Sequence, residues 1–141
     1  MTNIASVVRG IILKEDKILL CKLKGADYYF FPGGRIEFGE TAQQALEREL
    51  KEELELSAEK FEYIGTIENF FSEKGNKYHE INLVFHVEAE NATDKTPEDH
   101  LEFFWKDINK LVGENIEPTA LKNTFLKWLK DKKLFWGSEK E

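Results

Sequence analysis

The chain is short of cysteine, of proline and of positive charge, and each shortage excludes something. Cys21 is the only cysteine in 141 residues, so no internal disulfide can form. It lies in the apolar stretch from Ile18 to Leu23, where a buried thiol that packs is expected rather than a nucleophile. The three histidines, His79, His86 and His100, show neither zinc spacing nor a nucleophile partner and receive no role. No apolar run approaches the roughly 18 residues of a membrane span. Arg9 and Lys14 interrupt the N-terminal apolar stretch and no small-residue cleavage site follows, so no signal peptide is expected. A cytoplasmic protein is the expectation. Acids outnumber bases, 27 to 20, for a net charge of −7 and a pI near 5.1. A chain so acidic is not expected to grip long nucleic acid through its phosphates.

What the chain has is a helix crowded with acids behind a glycine-rich loop. Thr41 and Gln44 form a capping box, and Ala42 to Leu54 contains no Gly, Pro or β-branched residue. Wound at about 100° per residue, Ala42, Ala45, Leu46, Leu50 and Leu54 share an apolar arc. Glu49 and Glu53 fall inside that arc, and Glu52 falls on its flank. Glu47 and Lys51 point the other way, to solvent. An unpaired carboxylate on a core-facing arc is costly, and two of them one turn apart repel. A divalent cation removes both problems, since Mg²⁺ and Mn²⁺ prefer oxygen ligands. Gly33 and Gly34, just before the helix, let the backbone come close to a metal or phosphate.

These residues carry a resemblance. Gly34, five residues, Glu40, seven residues, then Arg48-Glu49-Leu50-Lys51-Glu52-Glu53 and Leu56 resemble the Nudix box of the Nudix hydrolase family. One position departs: Glu55 stands where the family has a glycine that ends the helix. Phe31-Pro32-Gly33-Gly34 and the order of elements along nearly the whole chain are also similar to the family. The resemblance implies an α/β/α sandwich with a mixed β-sheet. It implies Gly34 (through its carbonyl), Glu49, Glu52 and Glu53 as metal ligands, with Glu40 and Arg48 fixing the loop against the helix.

Elsewhere, strands are expected at Ile4 to Leu13, Ile18 to Lys22, Phe61 to Phe71, Tyr78 to Glu88 and Leu101 to Trp105. Residues 72–76 read as a hairpin turn, and residues 32–40 and 89–100 as loops. In the fourth strand Ile81, Leu83, Phe85 and Val87 alternate with Tyr78, Glu80, Asn82 and His86, and the latter set marks the polar, site-facing side. Pro118 to Leu134 reads as a helix with the stripe Leu121, Phe125, Trp128 and Leu129. Its lysines read as a solvated face. A single domain over 1–137 with a frayed tail at 138–141 is expected.

The expected activity is hydrolysis of a diphosphate linkage in a nucleoside diphosphate joined to another group, by water attack on phosphorus assisted by Mg²⁺ or Mn²⁺. Glu53 is one candidate base. Glu98 and Glu102, shortly before Trp105, are the others, with Glu80 a weaker third acid. Arg9, Gly33 and Arg35 are expected to contact substrate, Arg9 through a guanidinium fork on phosphate. A nucleoside triphosphate or modified nucleotide leads as substrate, with ADP-ribose, a nucleotide sugar or an RNA 5′ end behind. The proline that ADP-ribose-specific members tend to carry about fifteen residues past the box is missing. A module that binds nucleotide without cleaving it, and an isomerase acting on an isoprenoid diphosphate, are the rivals. The intact set of acids argues against the first, and the absence of any cysteine besides Cys21 against the second. Whether the chain pairs as a homodimer is left open.

Overall fold

The computed structural model describes residues 2–140, with side chains from residue 4 onward; Met1 and Glu141 lie outside the described residues. In chain order the elements are β1 (Thr2–Lys14), β2 (Lys17–Leu23), β3 (Gly33–Arg35), α1 (Ala42–Leu54), β4 (Lys60–Glu73), β5 (Asn76–Glu88) and β6 (Leu101–Asp107). A 3-10 helix (Ile108–Gly113), α2 (Thr119–Asp131) and β7 (Phe135–Glu139) complete them. The strands join in one mixed sheet of order β6-β2-β1-β5-β4-β7, with β3 also paired to β1. β1 runs parallel to β5 and β4 parallel to β7, while the other pairs are antiparallel.

Alternation along β1 decides how the sheet is covered. Val8 and Ile12 pack with Ala45, Leu46 and Leu50 of α1 on one face. Ile11 packs with Leu121, Phe125 and Trp128 of α2 on the other. The result is an α/β/α sandwich, with a separate apolar core under each helix. The expected stripe of α2 is the one buried. The tight β4–β5 turn places Lys74 and Gly75 at φ of 50° and 80°, a pair of left-handed residues that matches strand twist.

Two expectations fail, both at short strands. The loop 32–40 contains β3, because Gly33 and Gly34 lie flush against Arg9 and Val8 of β1. The end of the chain is not a frayed tail from Ser138: residues 135–139 form β7, with Ser138 opposite Glu68 and Glu139 opposite Asn69. Lys132 turns left-handed (φ 55°) and stops α2, so Leu134 is not helical. Gly65 then makes room for the strand, since a Cβ there would stand 2.3 Å from the Phe135 ring. The 3-10 helix had no counterpart in the sequence reading.

Candidate active site

α1 begins as its sequence dictates. Thr41 accepts the Gln44 N–H (3.1 Å), and the Gln44 side chain accepts the Thr41 N–H (2.9 Å). It ends at Glu55, which takes the left-handed conformation (φ 50°, ψ 36°) that the missing glycine would have taken. The helix terminus therefore survives the substitution, with the Glu55 N–H bonded to the Lys51 carbonyl (3.0 Å).

The last two turns of α1 carry the acids. Glu53 is 8% exposed; its carboxylate accepts a hydrogen bond from the Gly33 N–H, while Oε1 is buried without a partner among the described residues. Burial, then the charge of Glu49, pushes the Glu53 carboxyl up to about 8, against the pull of Arg9 and the Gly33 N–H. Glu49 is raised too, chiefly by burial, with the Arg48 hydrogen bond opposing. Glu47, by contrast, is exposed and bonds only the Gln43 amide (3.0 Å).

Arg48 is the hub of the loop. Its Nε and one terminal nitrogen donate to the two oxygens of Glu40 (2.7 and 3.0 Å), and that terminal nitrogen also donates to the Arg35 carbonyl (3.0 Å). The other terminal nitrogen donates to Glu49 (3.0 Å) and stands 3.6 Å from Glu52. Glu40 also accepts the Glu37 N–H (2.8 Å), and its carboxyl is held below the usual range by the Arg48 bond first. Charge-assisted forks of this kind fix geometry as well as energy. They pin residues 35–40 to α1.

The two glycines are needed for space. A Cβ on Gly33 would lie 1.9 Å from the Val8 carbonyl, and its φ of 144° excludes most side chains besides. A Cβ on Gly34 would lie 2.5 Å from Glu49 Oε1.

Arg9 leaves β1 on the α2-facing side, donates to the Phe31 carbonyl (3.0 Å) and lies over the Phe30 ring at 5.6 Å. Its charge reaches Glu53 and Glu49 on one side and Tyr28 on the other. Cys21 is buried, and its thiol is pushed far above the usual range by burial first and by the Glu53 charge second, which rules it out as a nucleophile. Arg35 gives its carbonyl to Arg48, and its side chain is exposed.

The downstream acids separate. Thr96 donates its hydroxyl to the Glu53 carbonyl and accepts the Glu98 N–H (3.1 Å), so the loop bearing Glu98 is tied to the last turn of α1. Glu102 sits opposite Lys22 on β6. Its neighbours Leu101 and Phe103 pack under α1, so strand alternation turns Glu102 to the other face. The structure therefore ties the Glu98 loop to the backbone of the last turn of α1, with the Glu98 carboxylate 3.9 Å from His100, and turns Glu102 to the other face of the sheet. Glu80 lies opposite Asn69 and Ala5, on the same face as Arg9 and away from α1.

Among the described residues no group of three or more His, Cys, Asp or Glu side chains is arranged to hold a metal ion, and Arg48 engages Glu49 and Glu52. The donor set nevertheless fits a hard divalent cation. Glu53 has an orphaned buried oxygen, Glu49 lies against the bare backbone of Gly34, and Glu52 flanks both. Thr96 and Asn69 carry no role in the sequence analysis, whereas Asn82 is placed there on the polar side of its strand. A polar residue inside an apolar strand was the available signal for Asn69.

Known proteins agree with this geometry. The NUDIX domain pattern matches residues 4–129. An ADP-ribose pyrophosphatase of Methanocaldococcus jannaschii is 30% identical over 127 residues, 88% of this chain and 74% of that one. The 8-oxo-dGTP diphosphatase of Escherichia coli is 36% identical over 70 residues, 46% of this chain and about half, 54%, of that enzyme. The mutator MutT protein of Bacillus halodurans superposes with a TM-score of 0.76 at 23% identity, over 95% of this chain and 88% of its own, and so shares the fold. No helix among the described residues is long and apolar enough to cross a membrane. With its box of acids folded as described and its match running almost end to end, the chain belongs to the NUDIX family of hydrolases.

Proposed function

We propose that the chain is a pyrophosphohydrolase that cleaves the diphosphate linkage of a nucleoside triphosphate or modified nucleotide, with Mg²⁺ or Mn²⁺ as cofactor. The observation that carries the reading is the buried Glu53 carboxylate, one oxygen unpartnered, beside Glu49 and within reach of the Arg9 charge. Glu49, Glu52, Glu53 and the Gly34 carbonyl would hold a divalent cation, which would supply charge neutralisation at phosphate oxygens and a more acidic water. The chain's own groups do the rest. Arg9 offers a guanidinium fork to a phosphate oxygen. Glu53, or Glu98 from its tethered loop, takes the proton of the attacking water. The new P–O bond forms as the anhydride P–O bond breaks, and the leaving phosphate carries away the electron pair. The Arg48 fork holds the loop while this happens. With only the buried thiol of Cys21 available, the reading includes no covalent enzyme intermediate.

ADP-ribose is the second reading, favoured by the relative in Methanocaldococcus jannaschii, whose match covers most of both chains. Against it stands the missing proline past the box. A panel separates them: nucleoside triphosphate should give the monophosphate and pyrophosphate, ADP-ribose should give AMP and ribose 5-phosphate. The test is product analysis with Mg²⁺, with Mn²⁺ and with excess EDTA. Full turnover in EDTA would overturn the metal-dependent reading.

A further inference from the structure

Two buried side-chain acceptors lack a partner among the described residues: Glu53 Oε1 and Asn82 Oδ1. The first belongs to the acids of α1. The second has no part in the hydrolytic chemistry. Asn82 is fully buried in β5, between Val7 of β1 and Ile67 of β4. An acceptor left bare in such a place loses its hydration with nothing in return, so it asks for a ligand or a water.

Its orientation is fixed. The Asn82 amide nitrogen donates to the Ile67 carbonyl (3.2 Å) and to Asn69 Oδ1 (2.8 Å). A backbone carbonyl can only accept, so the amide cannot turn its oxygen that way. Oδ1 is therefore locked as an acceptor. It also lies on the face of the sheet that carries Arg9. Asn82 is opposite Val7 and Arg9 is opposite Val84, so Asn82 and Arg9 are diagonal neighbours on the side of the sheet away from α1. Arg9 is the residue whose charge reaches Glu53. Asn69, one pair further along with Glu80, is nearly as buried. On the proposed hydrolase reading, a nucleotide whose phosphates lie by Arg9 would extend its base along this face. Oδ1 belongs to a fully buried residue, so a base reaches it only when the side chains over it move; Arg9, the diagonal neighbour, donates to the Phe31 carbonyl and lies over the Phe30 ring.

We infer that Asn82, oriented by Asn69 and the Ile67 carbonyl, reads the nucleobase and selects bases that present an exocyclic amino group. An amino group meets Oδ1 with a donor, whereas a keto oxygen meets it acceptor to acceptor. At the exocyclic position cytosine is thereby distinguished from uracil, and adenine from hypoxanthine. The inference rests on the proposed nucleotide hydrolase reading and goes one step further, to the base.

The experiment measures kcat/KM for CTP against UTP and for ATP against ITP, with Mg²⁺, on the wild type and on Asn82→Leu. The wild type should favour the amino-bearing member of each pair by about tenfold or more, as expected for a site built around one hydrogen bond. Asn82→Leu should bring both ratios toward one, mainly by loss on CTP and ATP. As Asn82 is buried, the variant could fail to fold. The wild type alone then decides, through the side-chain amide resonances of Asn82 in a ¹H–¹⁵N spectrum. CTP should move them and UTP should not. Ratios near one with unmoved resonances would mean a buried water only and would overturn the inference, leaving the hydrolase reading intact. If no nucleotide is hydrolysed, that reading falls, and the same spectra with CTP and UTP still test base recognition.

Discussion

The Glu49 carboxylate occupies the space that a side chain at position 34 would need, 2.5 Å from where a Cβ would stand. Gly34→Ala should therefore displace the far end of a flexible side chain rather than backbone. The fold should be little affected and activity should fall sharply. Gly33→Ala meets the Val8 carbonyl at 1.9 Å with φ at 144°, and nothing there can yield cheaply. It should destabilise by about 2 kcal/mol or more. Thermal melts and turnover of the two variants give the contrast. Equal stability losses would refute the distinction.

Arg48→Lys keeps the charge and loses the fork. A single ammonium cannot bond both Glu40 oxygens, the Arg35 carbonyl and Glu49 together. Stability should drop by about 1–2 kcal/mol. The Glu37 amide, which bonds Glu40 at 2.8 Å, should exchange its hydrogen faster. Unchanged Glu37 protection would show that the loop holds itself.

These local features are also the ones the sequence displays best. The capping box, the apolar arc and the place of Glu53 inside it depend on residues within a few turns of one another, so periodicity suffices to find them. β3 and β7 depend on partners far along the chain, Val8 for one and Gly65 for the other, and no local pattern announces them. The Arg48–Glu40 contact spans eight residues and was legible only through the family resemblance. Asn82 stood out as a polar residue on the face that alternation marks as site-facing. That α2 covers part of this face at His86, 5.4 Å from the Trp128 ring, was not visible.

Glu53 gives a pH dependence with a definite sign. Its carboxyl lies at about 8 in the folded protein against an ordinary 4.5. Between those values the folded state holds a proton that the unfolded state has lost. Stability is therefore fully present below about pH 4.5 and is lost as pH rises through 8. In chelator, wild type and Glu53→Gln should melt alike near pH 4.5, and the wild type should fall behind by on the order of 5 kcal/mol above pH 8. The same variant should lose about 10²–10⁴-fold in turnover, with Glu47→Gln as an inert control on the opposite face. A constant gap across pH, or equal activities for the two variants, would defeat the assignment.

Glu55 holds a left-handed conformation (φ 50°) that suits glycine better. Glu55→Gly should stabilise the protein by about 1 kcal/mol, because the strain at the end of α1 disappears. It should leave turnover unchanged, since Glu55 is exposed and bonds through its backbone. A chemical denaturation series reads the shift, and a lower midpoint would count against the cap.

Glu98 and Glu102 are four residues apart, and only their supports tell them apart. Thr96 joins the Glu98 loop to the Glu53 carbonyl, while Glu102 pairs with Lys22 on the face turned away from α1. If Glu98 takes the proton from water, Glu98→Gln should lower kcat and leave the Mg²⁺ requirement as it was. If it binds the cation, the Mg²⁺ concentration for half-maximal rate should rise instead. Glu102→Gln should alter neither, because acids away from a site seldom matter by more than about 0.5 kcal/mol. Titrating Mg²⁺ against turnover for both variants separates the three roles. A wild-type curve from Glu98→Gln would remove it from the site. An altered curve from Glu102→Gln would show that β6 turns toward the acids in the working enzyme.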